Sequence, residues 1–131
     1  MLKKILVAYD GSESAGRAFR FALDLAKPFE ASITILAVAI PPEPPTMVET
    51  KAMLENATEH YEQLFSKLRD EARDAGIAVQ TKVVIGHPAD QVVHVAAQER
   101  MDLIVMGHRG KSMISRWLLG SVSKRDRKSV V

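Results

Sequence analysis

The stretch Lys4-Ile5-Leu6-Val7-Ala8-Tyr9-Asp10-Gly11-Ser12 decides the fold. Its apolar run, Ile5 to Ala8, is not interrupted by polar residues at every second position. It therefore reads as a strand covered on both faces, as parallel strands are. Tyr9-Asp10-Gly11-Ser12 is a turn that leads into helix-start chemistry. Ser12 or Ser14 can accept a hydrogen bond from a free N–H of the first turn, and Glu13 suits the positive helix end. Ala15, Phe19, Ala22, Leu23 and Ala26 then recur at three- and four-residue steps, giving one apolar face, and Pro28 ends the helix.

The same unit repeats outward from this stretch. Ser32 to Val38 is a second strand, followed by Pro41-Pro42-Glu43-Pro44-Pro45, a stiff surface loop that fits neither helix interior nor central strand. Leu54, Ala57, Tyr61, Leu64, Leu68, Ala72 and Ala75 mark a long helix stopped by Gly76. Ile77 to Val84 is a third strand. Gly86-His87-Pro88-Ala89-Asp90 opens a helix whose buried side is Val92, Val93 and Ala96. Leu103 to Met106 is a fourth strand, ending at Gly107. Strand–helix alternation with short joints predicts an α/β fold. It is a doubly wound open parallel sheet of Rossmann-like type, with four to five strands and helices on both faces. Ligands of such sheets sit beyond the carboxyl ends of the strands, where strand order reverses, which directs attention to Asp10, Val38 to Ile40, Gly86 and Gly107 onward.

At 131 residues the chain is read as a single domain, and 47% hydrophobic with 26% charged residues is a globular balance. The absence of cysteine excludes disulfides, thiolate metal sites and cysteine nucleophiles. No apolar run approaches the ~20 residues of a membrane span, so neither membrane nor export is expected, and a cytoplasmic location is. The formal charge of +2 sits in the tail: Lys124, Arg125, Arg127 and Lys128 against Asp126 leave residues 1–123 with 14 cations, 15 anions and a net charge of −1. With aromatics only 5% of the chain, no aromatic-interleaved basic face suits nucleic acid. His60, His87, His94 and His108 show no close ligand spacing, and there is no G-x-S-x-G nucleophile elbow. A phospho-acceptor receiver domain would need an acidic pair after strand one and an Asp ending strand three, and the chain has Asp10 alone and Val84-Ile85-Gly86.

Gly107-His108-Arg109-Gly110-Lys111-Ser112 is not a Walker A loop, because the position five residues before Gly110 is Val105, inside the strand. Instead Gly107-x-x-Gly110 is followed, after nine intervening residues, by Gly120-Ser121-Val122-Ser123. Backbone N–H groups hold phosphate oxygens only where the main chain comes close, which bare Cα atoms permit. Gly120 would open a helix whose free N–H groups favour an anion. Ser121 and Ser123 add hydroxyl donors, and Lys111 and Arg116 add cations. The plainer reading is that these glycines only shape turns, that Asp10 only caps a helix and that Trp117 only anchors the loop.

The spacing G-x-x-G-x9-G-[ST] resembles the ATP-binding branch of the universal stress protein family. Lys4 to Ser12 resembles that family's first strand and turn, Gly86-His87-Pro88-Ala89 its G-x-P-A helix entry, and Asp102 to Gly107 its fourth strand. The resemblance runs from about Lys3 to Ser123. It implies the adenine nucleotide alpha-hydrolase-like variant of the fold and an ATP site formed by Ala8, Asp10, Val38, Met106, Gly107, Arg109, Gly110, Gly120, Ser121, Val122 and Ser123. Ala8 and Val38 would line the adenine. Asp10 would stand near the ribose or hold Mg²⁺, or Mn²⁺, together with phosphate oxygens. No catalytic residue is implied, so a nucleotide-dependent stress-response regulator with slow or no ATP hydrolysis is expected. The alternatives are an interaction module of the same fold without nucleotide, and a phosphoryl- or adenylyl-transfer enzyme whose catalytic groups are not identifiable. The family forms homodimers or higher oligomers, often through a fifth strand. Here the chain after Ser123 leaves room for a strand cut to Ser129-Val130-Val131 or for none, which puts that edge in question.

Overall fold

The computed structural model describes residues 2–41, 47–107 and 129–130. Five strands, β1 (Lys4–Ala8), β2 (Ser32–Ala39), β3 (Val79–Ile85), β4 (Leu103–Met106) and β5 (Ser129–Val130), form one sheet in the order β3-β2-β1-β4-β5. Every pairing is parallel. The fifth strand thus takes the shortened form, pairing Ser129 with Leu103 and Val130 with Ile104. Among the described residues three helices connect β1 through β4: α1 (Glu13–Ala26), α2 (Met47–Asp74) and α3 (Pro88–Gln98).

Because successive side chains of a strand point to opposite faces, β1 feeds two cores. Ile5 and Val7 join Phe19 of α1, Phe65 and Leu68 of α2, and Val105 of β4 on one face. Leu6 joins Leu36, Val92, Val95, Ile104 and Met106 on the α3 face. The run from Ile5 to Val7 is buried on both sides, as its lack of alternation predicts.

The helix boundaries follow local chemistry. Ser12 is the N-cap of α1, its Oγ accepting the Ala15 N–H at 3.1 Å. The helix ends at Ala26, and Pro28 sits inside a single 3-10 turn, Lys27–Phe29, that follows it. Gly76, with φ +74, stops the chain after α2 in the left-handed conformation glycine favours. Three sequence expectations are corrected. The third strand is Val79–Ile85 rather than starting at Ile77, since Ile77 still bonds back to Ala72 O in the turn after α2. On α3, Val95 is buried and Val93 only half-buried, which rotates the buried face by part of a turn. On α2, Leu54 is 38% exposed and the buried anchor is Phe65. Residues 42–46 of the proline loop lie outside the described residues.

Candidate functional site

β1 is flanked by β2 on one side and β4 on the other, so the chain order reverses between β1 and β4. The crevice expected of an open α/β sheet therefore opens at the carboxyl ends of these two strands. Ala8 and Met106 are register partners there, so Tyr9 and Gly107 leave the sheet at the same level, with Asp10 one residue further on.

The exit from β1 is held by side chains. The Tyr9 N–H donates to Leu36 O at 2.8 Å, extending the pairing with β2 by one bond. Asp10 is exposed and its Oδ1 accepts from the Ser12 N–H at 3.0 Å and from Ser12 Oγ at 2.6 Å. Ser12 Oγ in turn accepts from Ala15 N, so one short chain of bonds fixes both the turn and the start of α1. Gly11 has φ +86, and a Cβ there would also press to 3.3 Å from Leu64 Cδ1 of α2.

The exit from β4 is held by the absence of a side chain. A Cβ on Gly107 would lie 2.5 Å from Ser14 Oγ and 3.1 Å from Ser14 Cβ. The bare Cα is what lets the end of β4 pack against the first turn of α1.

Of the residues the sequence assigns to the site, the structure brings five together. Ala8, Val38 and Met106 lie at the carboxyl ends of adjacent strands and all pack against the α3-face core, Met106 buried and the other two partly exposed. Asp10 and Gly107 stand just beyond them. The remaining six, Arg109, Gly110, Gly120, Ser121, Val122 and Ser123, lie outside the described residues. What is assembled suits the base and ribose end of a nucleotide: small apolar side chains on one sheet face and an exposed carboxylate beside them. Among the described residues no group of three or more His, Cys, Asp or Glu could hold a metal ion. Two open cavities lie off this rim, one of about 560 Å³ near Arg69, Arg73 and Gly76 and one of about 510 Å³ along Met53, Ala57 and Tyr61 of α2.

Sequence reasoning missed an aromatic cluster behind Asp10. Tyr9 meets Tyr61 edge-on at 6.5 Å and Phe65 at 6.2 Å, while Tyr61 and Phe65 stack at 5.7 Å. Burial raises the Tyr9 phenol above its ordinary 10.0, with Asp10 and Glu71 adding to the rise and Arg20 opposing it. Burial also raises Tyr61, with Asp10 and Tyr9 contributing. The four-residue spacing of Tyr61 and Phe65 was a usable signal for their mutual contact. Nothing local linked either one to Tyr9.

The profile of the Universal stress protein family matches residues 1–125. This chain belongs to that family. It is 33% identical over 128 residues to Universal stress protein MJ0531 of Methanocaldococcus jannaschii, covering 95% of this chain and 75% of that one. A universal stress protein family structure from Burkholderia pseudomallei superposes with a TM-score of 0.77 at 24% identity, covering 98% of this chain and 93% of that one. A universal stress protein solved in complex with cAMP matches with a TM-score of 0.63 at 25% identity, covering 98% and 94%. The doubly wound parallel architecture is thus the one this family shares, and at least one neighbour carries an adenine nucleotide. No helix among the described residues of this family member is long and apolar enough to cross a membrane.

Proposed function

We propose that this universal stress protein is an ATP-binding, nucleotide-dependent regulator of the stress response that acts in the cytoplasm as a single domain, residues 1–131. ATP binds with Mg²⁺ or Mn²⁺ at the β1/β4 rim. The observation that carries this reading is the meeting of Ala8, Val38 and Met106 with the exposed Asp10 at the point where strand order reverses. The neighbour solved with cAMP supports an adenine nucleotide as the ligand class. Ala8, Val38 and Met106 take the adenine by shape and backbone contact. Asp10 takes a ribose hydroxyl or shares the cation with phosphate oxygens. The glycine spacing from Gly107 through Gly110 to Gly120, with Arg109, Ser121, Val122 and Ser123, takes the phosphates. No described residue at the rim is a general base other than Asp10, whose carboxylate is already engaged by Ser12, so hydrolysis is slow or absent.

A second reading, an interaction module without nucleotide, is favoured by one feature: the Gly107–Ser14 packing accounts for a bare Cα at 107 without any phosphate. Thermal denaturation with and without ATP and Mg²⁺ separates the two. Nucleotide at ~100 times its dissociation constant adds ~2.7 kcal/mol of stability. The expected result is a stabilising shift that Gly110→Val abolishes while the apo protein keeps its own melting temperature. No shift in the parent protein overturns nucleotide binding and leaves the interaction module.

A further inference from the structure

β3 is one edge of the sheet: β2 pairs along one side of it and no described strand lies beyond the other. The Ile33 N–H donates to Ala78 O and the Gly86 N–H to Ala39 O, both at 2.9 Å, which fixes the phase of the ladder. In a parallel ladder the bonds to one neighbour come from alternate residues. Gln80, Lys82 and Val84 therefore turn their N–H and C=O groups to β2, and Val79, Thr81, Val83 and Ile85 turn theirs outward. Edge strands that keep other chains off are short, bulged, or carry proline or free charges. β3 is 7 residues long, pairs without a break from Val79 opposite Ile33 to Ile85 opposite Ala39, and has no proline. Its one charged side chain, Lys82, is drawn to Glu99 at the end of α3.

A basic pocket stands at the head of this edge. A cavity of about 560 Å³ lies beside α2 and the chain entering β3, lined by Ser66, Arg69, Asp70, Arg73 and the run from Gly76 to Val79. Arg69 is fixed over the strand: it donates to Thr81 Oγ1 at 3.2 Å and is paired with Glu62. Those contacts leave it further N–H donors. Arg73 pairs with Asp70 at 3.2 Å, both side chains being mostly exposed, and an incoming anion can replace so weak a pair. The carbonyls of Glu71, Ala72 and Arg73 at the end of α2 are occupied by the N–H groups of Ala75, Ile77 and Gly76, which blunts their repulsion of an anion.

The two features fit one kind of ligand, the end of a polypeptide. An extended chain pairs with the outward groups, and the guanidiniums at the start of β3 select which of its ends lies there. A strand added parallel to β3 would bring an α-ammonium group to them, whereas an antiparallel one brings the α-carboxylate. This chain's own end is not the occupant, in the same molecule or in a second copy, because Ser129 and Val130 pair with β4 on the far side of the sheet. We propose that β3 and the cavity beside Arg69 and Arg73 bind the extended C-terminal segment of a different protein, added as a further antiparallel strand with its α-carboxylate at the two guanidiniums. With the last residue opposite Val79, the residue three before it faces Lys82 and is acidic, and the residues opposite Val79 and Val83 are apolar. Strand addition draws affinity from the main chain and selectivity from alternate side chains. The pocket lies at the amino end of β3, away from the nucleotide rim, so neither reading depends on the other.

Fluorescence anisotropy on the full chain tests this, using a labelled heptapeptide of sequence TVVDTTV with a free terminal carboxylate. Saturable binding is expected. Amidation of that carboxylate and the substitution Arg73→Glu should each weaken it at least about tenfold. Val83→Pro removes one outward N–H and none that bonds to β2, and should weaken it as much. Circular dichroism confirms that each variant is folded. Should either not fold, the peptide decides on the parent protein. Methylating the amide nitrogens of its third and fifth residues should weaken binding at least about tenfold, while methylating the fourth and sixth should change it less than about threefold. No saturable binding up to about 1 mM peptide overturns the proposal. So does binding indifferent to amidation, to Val83→Pro in a folded protein, or to which amides are methylated.

Discussion

The two halves of α2 carry apolar residues at the same three- and four-residue spacing and meet opposite fates. Phe65, Leu68 and Ala72 are buried, whereas Leu54 is 38% exposed and Met53 and Ala57 are only half-buried. The difference is what lies underneath. The second half rests on β2 and β3. The first half starts beyond the sheet, because Tyr61 and Leu64 already sit at the level of Tyr9 and Gly11, past the end of β1. At ~1.5 Å per residue, residues 47–60 run on the order of 20 Å past the rim. An apolar period specifies which face of a helix would be buried; only a surface opposite it makes the burial happen.

Substitutions should break this pairing of halves unequally. Phe65→Ala empties a fully buried aromatic site between the sheet and the Tyr9–Tyr61 contact, and should cost ~3–5 kcal/mol in chemical denaturation. A loss below about 1 kcal/mol would mean that the second half is held no better than the first. The boundary between the halves is sharpened by pH. Both phenols at that boundary are raised above 10.0 in the fold. The stability each contributes as a neutral group is fully present below pH 10, where the unfolded phenol is also neutral, and is lost as pH rises past it. The parent protein should lose stability above pH 10, and Tyr61→Phe should lose less of it over the same range. An identical alkaline profile in the variant would remove Tyr61 from the buried cluster. The smallest effect belongs to the overhang. Leu54→Ala should change stability by less than ~0.5 kcal/mol. Amides of residues 50–57 should exchange faster than those of 65–74 in native-state hydrogen exchange.

The rim shows a similar contrast in legibility. The Asp10-Gly11-Ser12 turn was readable as a turn and a cap, because those bonds join residues two and three apart. The packing of Gly107 on Ser14, 93 positions away in the chain, was not. Sequence spacing offered phosphate contact as the reason for a bare Cα there, and the fold supplies helix packing as a sufficient one.

By itself the sequence determined the order and type of the elements, a serine cap at Ser12 or Ser14, the stop at Gly76 and the doubly covered character of β1. These depend on bonds and periodicities that close within a few residues. Tertiary structure alone decided the strand order β3-β2-β1-β4-β5, the meeting of Ala8, Val38 and Met106 beside Asp10, and which half of α2 finds a partner. Each of those is a contact between segments far apart in the chain, and no local propensity encodes which surface will be waiting on the other side.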